Sequence, residues 1–343
     1  YIHNIQESPL CEKGLHSAEV IAELAPAIGH IQHMPGHIYY NVGDYEKART
    51  VFLKAREVDS LYLVNSGVDP VNHWNNVHNM VYLAFNDIEQ GRHKEAIAIA
   101  KHIQTIEMTP DQFDRSQGMK SAYLVDQFLA NGIGNWDLSI ALTSVPLDIG
   151  KDTPFLEWKR KLFFYYAHSM KAFENDQKDS VNYYSKKMKK HFKALKANLS
   201  PGMNYKEIKE YHEKAHYNEV LACKLFMNGD INQAFSVIDS SIKFNKQTTV
   251  GDPPVTARFN EETKIRFLVK QLKYEEAVSV YELLLTIRKN SPLLYYELAE
   301  VCFLAGKKKE AKEYVNKALQ GWKYADKDLS ALSKAKELNE ELK

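Results

Sequence analysis

Aliphatic and aromatic residues recur along most of the chain at intervals of three and four, and the runs are broken by a glycine, asparagine or aspartate set among polar residues. That period predicts amphipathic helices, and the breaks predict tight turns between consecutive ones. The clearest instance is Gly43-Asp44-Tyr45-Glu46-Lys47-Ala48, followed by Phe52 and Ala55. Near the C-terminus Gly306-Lys307-Lys308-Lys309-Glu310-Ala311 leads to Val315 and Ala318, with Tyr295, Leu298 and Ala299 upstream. Lys273-Tyr274-Glu275-Glu276-Ala277 leads to Tyr281 and Leu284, and Ala277 stands 34 residues before Ala311. The small residue early in each second helix allows close packing on the first, and the glycine permits the turn.

These residues resemble the tetratricopeptide repeat, a helix-turn-helix unit of about 34 residues. Weaker copies begin at Gly91-Arg92-His93-Lys94-Glu95-Ala96 and Gly229-Asp230-Ile231-Asn232-Gln233-Ala234, with degenerate ones at Gly134-Asn135-Trp136 and Asn175-Asp176-Gln177. The resemblance implies an all-α solenoid, a right-handed superhelix of stacked antiparallel helix pairs in which no pair buries its apolar face alone. It reads as one superhelix over 1–343, with His-rich N-terminal repeats over 1–110 and degenerate repeats with insertions over 111–257. Two regular repeats and a capping helix, Leu-spaced at Leu329, Leu332 and Leu338, follow over 258–343. Irregular spacing places excursions at Leu61 to Asn76, Thr143 to Pro154, Asn198 to Asn204 and Lys246 to Thr256. Insertions between repeats tend to collect on a binding face.

Composition narrows the functional classes. Lys+Arg of 45 against Asp+Glu of 44 gives a net charge of +1, so no global field favours nucleic acid or an anionic membrane. Runs such as Leu162-Phe163-Phe164-Tyr165-Tyr166-Ala167 fall far short of the ~20 apolar residues that span a bilayer, so no membrane insertion is expected. Cys11, Cys223 and Cys302 are odd in number and far apart, which reads as free, buried thiols. Tyr1 is not a start methionine and follows no leader, so the N-terminus reads as processed or trimmed. The compartment stays open: cytoplasmic by default, with an exported form whose signal peptide has been removed as the alternative.

Chemistry enters with the histidines. His30, His33 and His37, in Gly29-His30-Ile31-Gln32-His33-Met34-Pro35-Gly36-His37, share one helical face. Counted from Gly29 they take the second, fifth and ninth places of a repeat's first helix, which the resemblance implies face the groove. His78 takes the second place of the next unit and His3 the ninth place of the preceding one, with Glu7 one turn on. His73 can join from the first excursion. Three imidazoles plus water would suit zinc, and two with Glu7 would suit non-haem iron, so a divalent transition metal is one expectation. Ligands ~2 Å from a common ion lie within about 4 Å of one another. Pro35 removes a backbone donor inside the helix and puts the geometry from His33 to His37 in question. The bland alternative is hydrogen bonding across the groove or to Tyr39 and Tyr40. The leading reading is a scaffold whose groove takes a peptide, a protein partner or a small ligand at this end, the alternative a metal-binding protein or metalloenzyme.

Tyr1-Ile2-His3-Asn4, Ala25-Pro26, Gly29-His30, His33-Met34-Pro35-Gly36-His37-Ile38-Tyr39 and His78-Asn79 are also similar to a bacterial family of tetratricopeptide proteins of uncharacterised function. That resemblance covers roughly the first 150 residues, implies that more helical sequence precedes Tyr1, and carries no activity. Elsewhere the chemistry is thin, and no catalytic residue is assigned. Gly132-Ile133-Gly134 has neither the strand nor the third glycine of a dinucleotide loop. The lysines at 186, 187, 189, 190, 193 and 196 spread around a helix and read as a solvated face. His212 and His216, one turn apart, read as surface or groove polar residues.

Overall fold

The computed structural model describes residues 2–6, 8, 10–107, 109, 122–145, 154–199, 202–248 and 260–343. After a short helical turn, Ile2–Ile5, come α1 (Leu15–Leu24), α2 (Gly29–Val42), α3 (Tyr45–Ser66), α4 (Trp74–Glu89) and α5 (His93–Gln104). Next are α6 (Val125–Gly132), α7 (Trp136–Ser144), α8 (Pro154–Glu174), α9 (Lys178–His191) and α10 (Tyr205–His212). They are followed by α11 (Asn218–Asn228), α12 (Ile231–Thr248) and α13 (Asn260–Lys270). The last four are α14 (Tyr274–Ile287), α15 (Pro292–Leu304), α16 (Lys308–Gly321) and α17 (Ser330–Glu341). The described residues contain no strand, and helices adjacent in sequence pack as pairs. The fold is an all-α, tetratricopeptide-type solenoid.

The turns fall where the sequence breaks. Gly43, Gly91, Gly134, Asp176, Gly229, Leu272 and Gly306 all have positive φ and close consecutive helix pairs. At Gly43 the requirement is double, since φ is +78° and an added Cβ would stand 2.2 Å from the Lys289 carbonyl oxygen. Asp44 then caps α3, accepting the Lys47 backbone N–H at 3.2 Å. Two excursions are shorter than expected, because α3 continues to Ser66 and α12 to Thr248. The loop positions 146–153, 200–201 and 249–256 lie outside the described residues.

The chain packs as two compact units. The first takes 1–108, 115–123 and 268–343, so the last regular repeats pack with the first ones; the second takes 109–114 and 124–267. Within the first unit, the turn between α14 and α15 meets α2, α3 and α4. Buried Glu89 accepts the Arg288 guanidinium at 2.6 and 3.0 Å through Oε1, and the Ser291 hydroxyl at 2.9 Å through Oε2. The Tyr45 hydroxyl donates to the Lys289 carbonyl at 2.8 Å. Farther along, Asp326 N–H donates to the Gly91 carbonyl at 3.0 Å and the Lys94 ammonium pairs with Asp328 at 2.8 Å. The capping helix α17 buries Leu332 and Leu338 against Tyr296, Val315 and Trp322.

The second unit is cored by Trp158, Leu162, Met170 and Phe173 of α8 with Met188, Val220, Cys223 and Phe226. His212 and His216 were expected at a surface or groove; they are buried instead, 3% and 9% exposed. The cause is a π-helical turn over Glu213–Tyr217 that swings both rings against Trp158, Phe163, Tyr166 and Tyr211. The six lysines of the basic run stand exposed, and all three cysteines are buried and form no disulfide.

Candidate metal and ligand site

Helix α2 runs without interruption through Pro35. The proline leaves the Ile31 carbonyl without its in-helix donor, yet His33 and His37, which straddle it, bring their Nε2 atoms to 2.9 Å. Close approach of α3 makes room for this. An added Cβ at Gly36 would stand 2.1 Å from the Phe52 ring, and one at Gly29 would stand 1.9 Å from Asp59 Oδ1. Gly36→Ala should therefore overpack this contact and cost about 1–3 kcal/mol, read as a lowered urea midpoint with the slope unchanged.

Helix α4 supplies the opposite wall. Trp74, Asn75, His78, Asn79 and Tyr82 fall at the three- and four-residue spacing of one face. Asn79 donates Nδ2–H to the Phe52 carbonyl at 3.1 Å, which turns its Oδ1 toward His33 Nδ1, also at 3.1 Å. Asn75 gives its Nδ2 hydrogens to the Asp59 carboxylate at 2.9 and 3.1 Å, which turns its Oδ1 toward His30 Nδ1 at 3.1 Å. An amide oxygen only accepts, so His30 and His33 carry their protons on Nδ1. Their Nε2 atoms are left to face His3 and His37 respectively.

The rings form a connected cluster. His78 lies 4.8 Å from His33 and 6.1 Å from His37, centroid to centroid, and Tyr82 sits beneath all three at 4.5 to 5.1 Å. One ring nitrogen from each of His33, His37 and His78 lies within 4.8 Å of the other two. This is wider than the ~4 Å expected around one ion. His33 and His37 already stand within that limit, with Nε2 atoms 2.9 Å apart, so the wide separation belongs to the half-buried His78. His33 and His37 are 0% and 1% exposed. Burial, then the neighbouring imidazoles, push His33 well below the usual histidine range and His37 down to about 3. Both are neutral at pH 7, the form that binds metal without displacing a proton. With His33 protonated on Nδ1, its bare Nε2 accepts from His37 Nε2–H, which leaves His37 Nδ1 buried with no partner among the described residues.

The other expected members part ways. The exposed His3 stacks on His30, Nε2 to Nε2 at 3.3 Å, held by the buried Ile2 and Ile5 of its own turn. His73 turns away, bonding Asp59 at 3.1 Å and lying against the Tyr62 ring. Glu7 lies outside the described residues. Tyr39 is buried packing. The sequence reading missed Asp59, Asn75, Asn79 and Tyr82; the face that the last three share with His78 on α4 was a signal that could have found them, whereas Asp59 on α3 left none.

Residues 30–60 and 293–320 match the tetratricopeptide repeat model, the same repeat that the turns at Gly43 and Gly306 mark. The chain thus carries tetratricopeptide repeats, and such repeats serve as protein-interaction scaffolds that bind protein or peptide partners. A comparison with curated proteins finds no match. No helix among the described residues is long and apolar enough to cross a membrane.

Proposed function

We propose that this protein is an interaction scaffold whose His-rich N-terminal end binds a divalent transition metal through His33, His37 and His78. The supporting observation is the pair of buried, neutral imidazoles with Nε2 atoms 2.9 Å apart, one of them oriented from behind by Asn79. Metal-ligating histidines characteristically donate their other ring N–H to a fixed oxygen in this way. Three imidazoles without a carboxylate favour zinc over iron, leaving a fourth position for water or a partner's donor atom.

The test is elemental analysis of the purified chain before and after chelation, with calorimetric titration of Zn²⁺. One equivalent should bind and raise the melting temperature, as a ligand selective for the folded state does. The His33→Ala, His37→Ala double variant should lose it. Protein that stays folded and takes up no zinc would end this reading. The second reading, direct recognition of a peptide or small ligand, rests on Trp74, which is 59% exposed beside His30 and His78. It predicts that Trp74 fluorescence responds to the ligand equally with and without chelator.

A further inference from the structure

The histidines are graded from solvent to core. His3 is exposed, His30 half-buried, and His33 and His37 are sealed. Their ring centroids step inward without a large gap: 5.4 Å from His3 to His30, 6.3 Å from His30 to His33 and 4.5 Å from His33 to His37. His3 and His37 are also 6.2 Å apart. A buried site of neutral imidazoles needs a path by which a hydrated ion sheds its water, because a divalent cation is costly to desolvate without replacement ligands. His33 and His37 are themselves closed off from solvent, and the Phe52 and Tyr82 rings pack against them at 4.5 to 5.1 Å.

We infer that His3 and His30 form an outer metal-loading station, which captures a divalent ion from solvent and hands it inward to His33, His37 and His78. The inference rests on the metal reading above and adds a second set of ligands with a different task. Three details support it. The Nε2 atoms of His3 and His30 lie 3.3 Å apart, close to the separation of two ligands on one tetrahedral ion of bond length ~2 Å. His30 is oriented by Asn75 in the same manner as His33 by Asn79, so both offer Nε2 to the cluster. Asn75 is in turn held by the Asp59 carboxylate, which places a negative charge behind the outer pair. The ion exchanges one imidazole for the next, so it is never stripped of all its ligands. No bond other than metal–nitrogen or metal–water forms or breaks, and no electron moves.

The experiment is rapid mixing of the metal-free full chain with Co²⁺, whose visible absorption reports coordination by nitrogen. Wild type should load quickly. His3→Gln, a change at an exposed position, should slow loading by about tenfold or more, leave the equilibrium dissociation constant within about twofold, and recover its rate when free imidazole is added. Trp74→Ala should not slow it. Equal loading rates for wild type and His3→Gln would overturn the relay while leaving the inner site intact. Loss of equilibrium affinity in His3→Gln would also overturn it, by making His3 a resident ligand. If Trp74→Ala alone slows loading, the ion comes in past His78 and the assignment fails. Wild type that takes up no cobalt would remove the inner site and the relay together.

Discussion

Glu89→Ala should destabilise the first unit by about 3–5 kcal/mol, the usual result of leaving one member of a buried ion pair without its partner. Glu89 is almost fully buried and meets both Arg288 and Ser291, so truncation strands a guanidinium and a hydroxyl in a dry contact. The cost should appear as a lowered urea midpoint. It should also appear as faster proteolysis between α13 and α14, because the contact holds α14 and α15 against α4. Replacing Glu89 and Arg288 together by methionine should restore much of the loss, since the desolvation penalty leaves with the charges. A single-variant effect below about 1 kcal/mol would place this contact among the weak surface pairs and contradict its burial.

Acid should unfold the protein well above the carboxylate range. His33, His37, His212 and His216 all have protonation depressed by burial, His37 and His216 down to about 3. Above the unfolded histidine value of about 6.5 neither state holds the proton, and stability is complete. Below it the unfolded chain takes up protons that the folded chain refuses, so stability falls as pH falls, by about 1.4 kcal/mol per histidine per pH unit. The two most strongly depressed of the buried histidines in each unit alone give roughly 3 kcal/mol per pH unit, against a typical total of 5–15 kcal/mol. Asp87, pushed up to about 6 by burial, takes a proton in the folded state and offsets one histidine in the first unit below that pH. Melting curves between pH 7.5 and 5 measure the slope. His212→Phe should flatten it, and a wild-type midpoint unchanged from pH 7 to 5 would show that the buried rings ionise in place.

The repeat was legible because its signals are local. A glycine at the turn and an alanine five residues later mark Gly43, Gly91, Gly229 and Gly306, and the structure turns at each of them. The histidine face was legible for the same reason: a spacing of three and four on a continuous helix survives even Pro35. What escaped was non-local. The partners of His30 and His33 lie 45 and 46 residues away, on a helix whose register against α2 no spacing rule supplies. His73 was drawn to Asp59, a carboxylate whose burial under Gly29 could not be seen before the helices were packed. His216 lies within a π-helical turn and His212 immediately before it, which shifts the face that an α-helical count assigns. The docking of Arg288 on Glu89 joins residues 199 apart and leaves no periodic trace.

That long-range pairing sets an order on synthesis. A ribosome releases residues 1–108 well before 268–343, so the nascent repeats emerge with Glu89 and the Tyr45 hydroxyl still lacking Arg288 and Lys289. The first unit completes only when the final repeats arrive. Its assembly is therefore a closing step that spans the whole chain, governed by the search of one end for the other. Until that step Glu89, buried in the finished unit, stands open to solvent, and the nascent N-terminal repeats are left open to misassembly.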